Sequence, residues 1–293
     1  MLPSHITLVE VGPRDGLQNE PVIVPPAIRA RLITLLAEAG LTMIEAGAFV
    51  RPDLVPAMAA TAQVLATLAL PQIRLPVLVA NRRGLADALA AGARDIAVFT
   101  AASDSFCKRN MGCSLEQSLS RFAEMIPLAQ GCRVRGYISC ALACPFDGPT
   151  PPARVAELAA TLTALGCHEI SLGDTMGTGT PVAARAMVAA VAERVPIGQL
   201  ALHFHDSYGQ ALANILACLE LGVAVVDASV AGLGGCPFAP GAGGNVATED
   251  VLFMLDGMGI TTGVRLDKVV AAGRFITDHL GHPPVSKVSR ALG

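Results

Sequence analysis

The sequence predicts a (β/α)8 barrel, and three observations carry that prediction. Eight short runs rich in Val and Ile recur along the chain. Ala- and Leu-rich segments of helical length separate them. Polar and charged residues gather where those runs end and are sparse where they begin. Barrels of this class carry their chemistry at the C-terminal ends of the strands, which matches that asymmetry.

The runs are "ITLVEV" (6–11), "MIEAG" (43–47), "LPVLVA" (75–80), "DIAVF" (95–99), "RVRGYIS" (133–139), "HEISLG" (168–173), "LALHFH" (200–205) and "AVVDASV" (224–230). Each is short, β-branched and bounded by Gly, Pro or charge, as a strand should be. Between them, 27–39 "AIRARLITLLAEA" reads as a helix closed by Gly40 at the position after the cap. Residues 181–194 read as another, with Pro181 in the first turn after a capping Thr180. A third spans 209–221 and ends at Gly222. Thr248, followed by Glu249 and Asp250, marks a further helix start with acid in its first turn. A doubly wound open sheet is the competing architecture. It would carry Gly-x-Gly-x-x-Gly after the first strand, and the turn here is "GPRDG".

Composition narrows the class. Hydrophobic residues are 52% and charged residues 15% of the 293, yet no apolar run reaches the ~18 residues of a spanning helix. The apolarity is that of strands buried on both faces. The start, "MLPSHITLVEVG", has neither a basic region nor a small-residue cleavage site, so no signal peptide is expected. Eight scattered cysteines without Cys-x-x-Cys read as reduced, buried thiols in a cytoplasmic protein. A net charge of −3 with no basic block argues against nucleic acid as a partner.

Strand seven ends in "LHFHDSYG". Residues i and i+2 of a strand share a face, so His203 and His205 both point into the barrel mouth while Phe204 packs the other way. Two imidazoles aimed at one point call for oxygen ligands to complete a coordination sphere. Asp15 is near, because only strand eight separates strand seven from strand one. Two histidines and one carboxylate suit zinc; the same set with an amide and water suits Mg or Mn. The other strand ends supply Arg14, Gln18, Glu45, Asn81, Asp174 and Thr175.

After strand eight comes "SVAGLGGCPFAPGAGGNVATED" (229–250). It is longer than the ~2–6 residues of most loops in such folds, which suits an active-site loop. Within it, Cys236 is a candidate acid/base thiol and Asn245 a candidate metal ligand or orienting amide.

"VEVGPRDGLQNE", "HFHDSYGQALANI" and "SVAGLGGCPFAPGAGGNVATEDVLFML", with "RGYISCALACPFDG" and "EISLGDTMGTGTP", closely resemble the 3-hydroxy-3-methylglutaryl-CoA lyase family from about residue 6 to 290. The resemblance implies a single pyruvate-carboxyltransferase-like barrel domain over 1–293, with a helical appendage at about 248–293. It implies a divalent cation, Mg or Mn, held by Asp15, His203, His205 and Asn245. The implied reaction is retro-aldol cleavage of an acyl-CoA substrate to acetyl-CoA and acetoacetate, the chemistry of leucine degradation and ketone body metabolism. Arg14 would sit at the thioester oxygen, Cys236 would transfer the proton, and Glu45 and Asp174 would orient the groups around the cation. Gln18, Ala48 and Thr175 would line the substrate site. A cytoplasmic homodimer is expected.

Some positions depart from the family pattern. Ala48 stands where a serine is common, Pro21 replaces a lysine after "LQNE", and "GHPP" near the C-terminus lacks basic residues found in some members. A lyase for a related tertiary 3-hydroxyacyl-CoA (citramalyl- or isohexenylglutaryl-type) and an aldol-type synthase of the same superfamily therefore stay open.

Overall fold

A computed structural model describes residues 2–235 and 244–293. Strand β1 (Thr7–Glu10) leads into a wide turn over Gly12–Gly16 and then helix α1 (Pro26–Glu38). The second barrel strand has two pieces, β2 (Met43–Ile44) and β3 (Gly47–Phe49), and precedes α2 (Thr61–Thr67). Then come β4 (Val77–Val79), α3 (Arg82–Ala90), β5 (Asp95–Ala101), α4 (Asp104–Met111), α5 (Leu115–Met125) and β6 (Arg133–Ser139). A small hairpin, β7 (Ala143–Cys144) and β8 (Gly148–Pro149), decorates the loop before α6 (Pro152–Ala164). The last units are β9 (Glu169–Asp174), α7 (Pro181–Ala192), β10 (Leu200–Phe204), α8 (Ala211–Leu219) and β11 (Val225–Ala228). Helices α9 (Thr248–Gly257), α10 (Leu266–Leu280) and α11 (Lys287–Ala291) follow, with α10 packed along α1.

All pairings in the large sheet are parallel, in the order β2-β1-β11-β10-β9-β6-β5-β4-β3. Because β2 and β3 are halves of one strand, this order closes on itself as eight strands in chain order. The fold is the (β/α)8 barrel that the sequence predicts. The eight runs read from the sequence overlap the eight barrel strands, with ends shifted by a few residues.

The second strand differs most from expectation. It is interrupted at Glu45 and Ala46, yet both stay on the ladder: Glu45 N–H donates to Glu10 O (2.8 Å) and Ala46 N–H to Pro76 O (2.9 Å). Beyond the interruption the chain runs hard against α2. A Cβ on Gly47 would lie 2.5 Å from Thr61 Oγ1, so only glycine fits.

Local signals hold at the helix ends. Thr180 Oγ1 accepts from Ala183 N–H at the start of α7, and Gly40 and Gly222 take the positive φ that closes α1 and α8. One apolar cluster fills the space between barrel and helices, drawing on every barrel strand. The cysteines of the described residues are all buried, and burial pushes the Cys167 and Cys218 thiols up to about 12. No helix among the described residues is long and apolar enough to cross a membrane.

Candidate metal centre at the barrel mouth

The wide turn after β1 is where the site begins. Gly16 N–H donates to Val11 O across five residues (3.2 Å), and Arg14 N–H donates to the same carbonyl (3.1 Å). Such π-type turns concentrate at functional sites. This one swings Arg14 and Asp15 over the mouth. Gly12 is forced by crowding: a Cβ there would meet Glu10 Oε1 at 2.6 Å.

Strand β10 brings the histidines. Donor atoms of Asp15, His203 and His205 all lie within 4.8 Å of one another. The two imidazole centroids are 5.6 Å apart. His203 Nε2 lies 3.8 Å from Asp15 Oδ2. That gap exceeds a hydrogen bond. It suits two donors that each sit ~2 Å from one ion.

Asn245 arrives by a different route. Residues 244–247 insert between the ends of β10 and β11: Val246 N–H donates to Phe204 O (3.1 Å), Asp206 N–H to Gly244 O (3.1 Å) and Ser229 N–H to Val246 O (3.0 Å). This added pairing sets Asn245 opposite His205. Its Nδ2 donates to Asp15 Oδ2 (2.8 Å). Gly234 packs beneath it with φ of 127°, and a Cβ there would lie 2.7 Å from Asn245 Nδ2. The Gly-rich stretch is therefore glycine at this point because a side-chain amide needs the space.

Arg14 is clamped by two carboxylates. Its Nε donates to Glu45 Oε2 and its Nη1 to Asp15 Oδ1, both at 2.7 Å. Burial would raise the Asp15 pKa, but Arg14 and the two histidines, with the Asn245 hydrogen bond, hold it well below the carboxylate range. Arg14 thus occupies one Asp15 oxygen, while the other faces the histidines. Glu45 goes the opposite way: burial raises it against the pull of Arg14. Its Oε1 is buried without a hydrogen-bond partner among the described residues. For His203, burial works to lower the pKa, but the bond to Asp227 and the charges of Asp15 and Asp227 raise it.

The remaining sequence candidates fall around this centre. Asp174 is fully buried at the end of β9. Its Oδ2 accepts from Gly179 N–H (2.8 Å) and its carbonyl from His205 N–H (3.2 Å), so it braces the 174–179 loop against the end of β10. Thr175 Oγ1 accepts from Cys140 N–H (2.9 Å). Gln18 is half-buried just past the turn that carries Asp15. Ala48, next to Gly47 in β3, is buried, and its N–H donates to Thr61 Oγ1 (3.3 Å). Cys236 lies outside the described residues. Asn81 caps α3 instead, accepting from Gly84 N–H.

Four buried polar residues near the centre were not singled out by the sequence reading. All four side chains are buried; Arg135, Tyr137 and Asp227 lie inside β6 and β11, and Glu10 closes β1. The signal was available: each is a polar residue in a run too apolar to have a solvent face.

A model of the HMGL-like family matches residues 5–276. The chain belongs to the HMGL-like family. It is 53% identical to the mitochondrial hydroxymethylglutaryl-CoA lyase of Mus musculus, over 99% of this chain and 90% of that one. It is 52% identical to the cytoplasmic 3-hydroxy-3-methylglutaryl-CoA lyase of Rattus norvegicus, over 99% and 85%. The crystal structure of hydroxymethylglutaryl-CoA lyase from Pseudomonas aeruginosa superposes with a TM-score of 0.97 at 51% identity, covering 99% of this chain and 98% of that one.

Proposed function

We propose that this HMGL-like chain is a divalent-metal-dependent carbon–carbon lyase. It cleaves 3-hydroxy-3-methylglutaryl-CoA to acetyl-CoA and acetoacetate. The observation that carries this reading is the Asp15–His203–His205 cluster with Arg14 bound to its edge, in a chain full-length similar to lyases of that name.

The donor set fits a cation: two imidazoles and an acceptor-only carboxylate converge, and the arginine beside them is neutralised by Glu45 as well as Asp15. Asp15, His203, His205 and Asn245 would hold Mg or Mn. When bound, the ion supplies Lewis-acid polarisation of the substrate's tertiary hydroxyl and carboxylate.

The chain's own residues do the rest. The hydroxyl proton passes to water, which later returns a proton to the Cys236 thiolate, and its loss lets the C3–O electrons form the ketone of acetoacetate as the C2–C3 bond breaks. That electron pair moves into the thioester, giving an enolate whose charge develops on oxygen. Arg14, with Nε and Nη1 fixed by Glu45 and Asp15, presents its remaining N–H edge to that oxygen. Cys236 protonates C2 to release acetyl-CoA. Asp174 orients His205 through the backbone, and Gln18, Ala48 and Thr175 line the acyl site. Cys236→Ser should retain metal affinity and lose most of kcat; activity equal to wild type would move the proton transfer elsewhere.

The same reading extends to the setting. The chain acts as one domain with residues 248–293 as a helical appendage, as a cytoplasmic homodimer, in leucine degradation and ketone body metabolism. Neither nucleic acid nor a membrane is a partner. The test is a coupled assay of acetoacetate release from a panel of tertiary 3-hydroxyacyl-CoA esters. EDTA should abolish turnover, and Mg or Mn should restore it. Full activity in verified metal-free protein would end the metal reading, and a preference for another ester would end the substrate assignment.

A further inference from the structure

His203 has a second nitrogen, and its surroundings are as ordered as those of the first. Nε2 faces Asp15 Oδ2 at 3.8 Å. Nδ1 lies 3.2 Å from Asp227 Oδ2. Asp227 sits on β11 directly beside His203 in the parallel register. Its side chain is sealed from solvent.

That carboxylate is held from two more sides. Ser171 Oγ, on β9, donates to the same Oδ2 (2.8 Å). Arg135 Nη2, on β6, donates to Oδ1 (2.6 Å). Arg135 is in turn anchored: its Nη1 donates to Tyr137 Oη (2.9 Å), and its Nε lies 2.7 Å from Glu169 Oε1. A buried chain Glu169–Arg135–Asp227–His203 thus runs through the barrel interior over four adjacent strands. Arg135 sets a positive charge between the two carboxylates, the kind of partner a buried carboxylate requires.

A neutral imidazole has one proton for two nitrogens. An ionised carboxylate can only accept. Facing Asp227, Nδ1 must carry the proton, and Nε2 keeps its lone pair toward Asp15 and His205. Apolar side chains could fill the barrel interior at lower cost than three buried charges.

We propose that Asp227 is a positioning residue for the metal centre: it fixes the tautomer and ring plane of His203 so that Nε2 is the ligand atom, with Arg135 and Ser171 holding the carboxylate in place. This rests on the reading of Asp15, His203 and His205 as a divalent-cation site. Carboxylates behind histidine ligands elsewhere contribute roughly 10–100-fold to metal affinity, and the same range is expected here.

Three measurements test it. In metal-free wild-type protein with 15N-labelled histidine, NMR should show His203 protonated at Nδ1 and bare at Nε2. Mn2+ titration followed by the EPR signal of the free ion should show Asp227→Asn binding about 10–100-fold more weakly than wild type. Ser171→Ala, which removes one bond to Oδ2, should weaken binding in the same direction and by less. Thermal unfolding establishes that each variant is folded. If Asp227→Asn does not fold, the wild-type NMR and Ser171→Ala decide. An Nε2–H tautomer in wild type overturns the proposal, as does a folded Asp227→Asn, or a folded Ser171→Ala, with wild-type Mn2+ affinity. Wild-type protein that binds no Mn2+ removes the metal reading and this proposal together; normal wild-type binding with unaffected variants removes this proposal alone.

Discussion

The two sides of the barrel are built from different materials. On one side, β10, β11, β1 and the second strand carry His203, His205, Asp227, Glu10 and Glu45, and the turn after β1 adds Arg14 and Asp15. On the other, β4 is Val77–Val79, and β5 contributes Ile96, Ala97, Val98 and Ala101 to the apolar core. Both sides are equally buried. Their difference shows how the fold tolerates so much internal charge. Each ionic group on the polar side has a partner of opposite sign or a set of backbone donors, whereas the apolar side rests mainly on packing, its few polar side chains being paired locally, Asp95 with Arg74 and Thr100 with Ser118. Function should therefore be sensitive on the first side, and stability on the second.

His203→Ala should separate the sides most sharply. It removes a proposed ligand and leaves Asp15 and Asp227 without their shared neighbour, so activity should fall by orders of magnitude, the metal reading placing several kcal/mol of Lewis-acid stabilisation there. Steady-state kinetics with and without added Mn2+ measure this, and near-normal turnover would break the contrast. Ile96→Ala is the mirror experiment. A fully buried side chain on β5 is cut back, which should cost about 2–5 kcal/mol in denaturant unfolding while Mn2+ affinity stays at the wild-type value.

A subtler effect lies behind the polar side. Burial holds the Glu10 carboxyl up to about 7 and that of Glu249 up to about 8, although Val230, Gly12 and Thr248 donate to the first and Ala231 and Ser289 to the second. The ordinary glutamate value is 4.5. Folding therefore takes up protons between about pH 4.5 and 8, and these groups' contribution to stability is lost as pH rises through that window. Glu249→Gln should flatten the decline, by on the order of 1–3 kcal/mol between pH 5.5 and 8.5. Thermal melts across that range test it, and an unchanged slope would show that the carboxyl is already ionised.

The smallest expected effect belongs to Ala48, where the polar side gives way to the apolar one. Ala48→Ser adds a hydroxyl beside the proposed acyl site. A single hydrogen bond of about 0.5–1.5 kcal/mol should shift kcat/KM for 3-hydroxy-3-methylglutaryl-CoA against a bulkier 3-alkyl analogue by threefold to tenfold. An unchanged ratio would assign Ala48 to packing.

Much of this was legible along the chain. Eight apolar runs separated by Ala- and Leu-rich segments determine a barrel, because hydrophobic periodicity and turn chemistry are local properties. The His203–His205 pair was legible for the same reason: a spacing of two on a strand puts both imidazoles on one face whatever surrounds them. Asp15 and Glu45 followed from their places at strand ends.

What lay beyond the sequence depended on contacts between distant residues. Asn245 reaches Asp15 only because residues 244–247 pair with the ends of β10 and β11, a docking no local pattern encodes. The interruption of the second strand depends on how closely Thr61 of α2 approaches Gly47. The Glu169–Arg135–Asp227–His203 chain spans residues separated by 92 positions between Arg135 and Asp227 alone. Sequence could show that a charge lay inside an apolar strand. Only closure of the barrel decided which opposite charge would meet it, because strand order and register set those distances and a buried charge persists only where its partner is already in place.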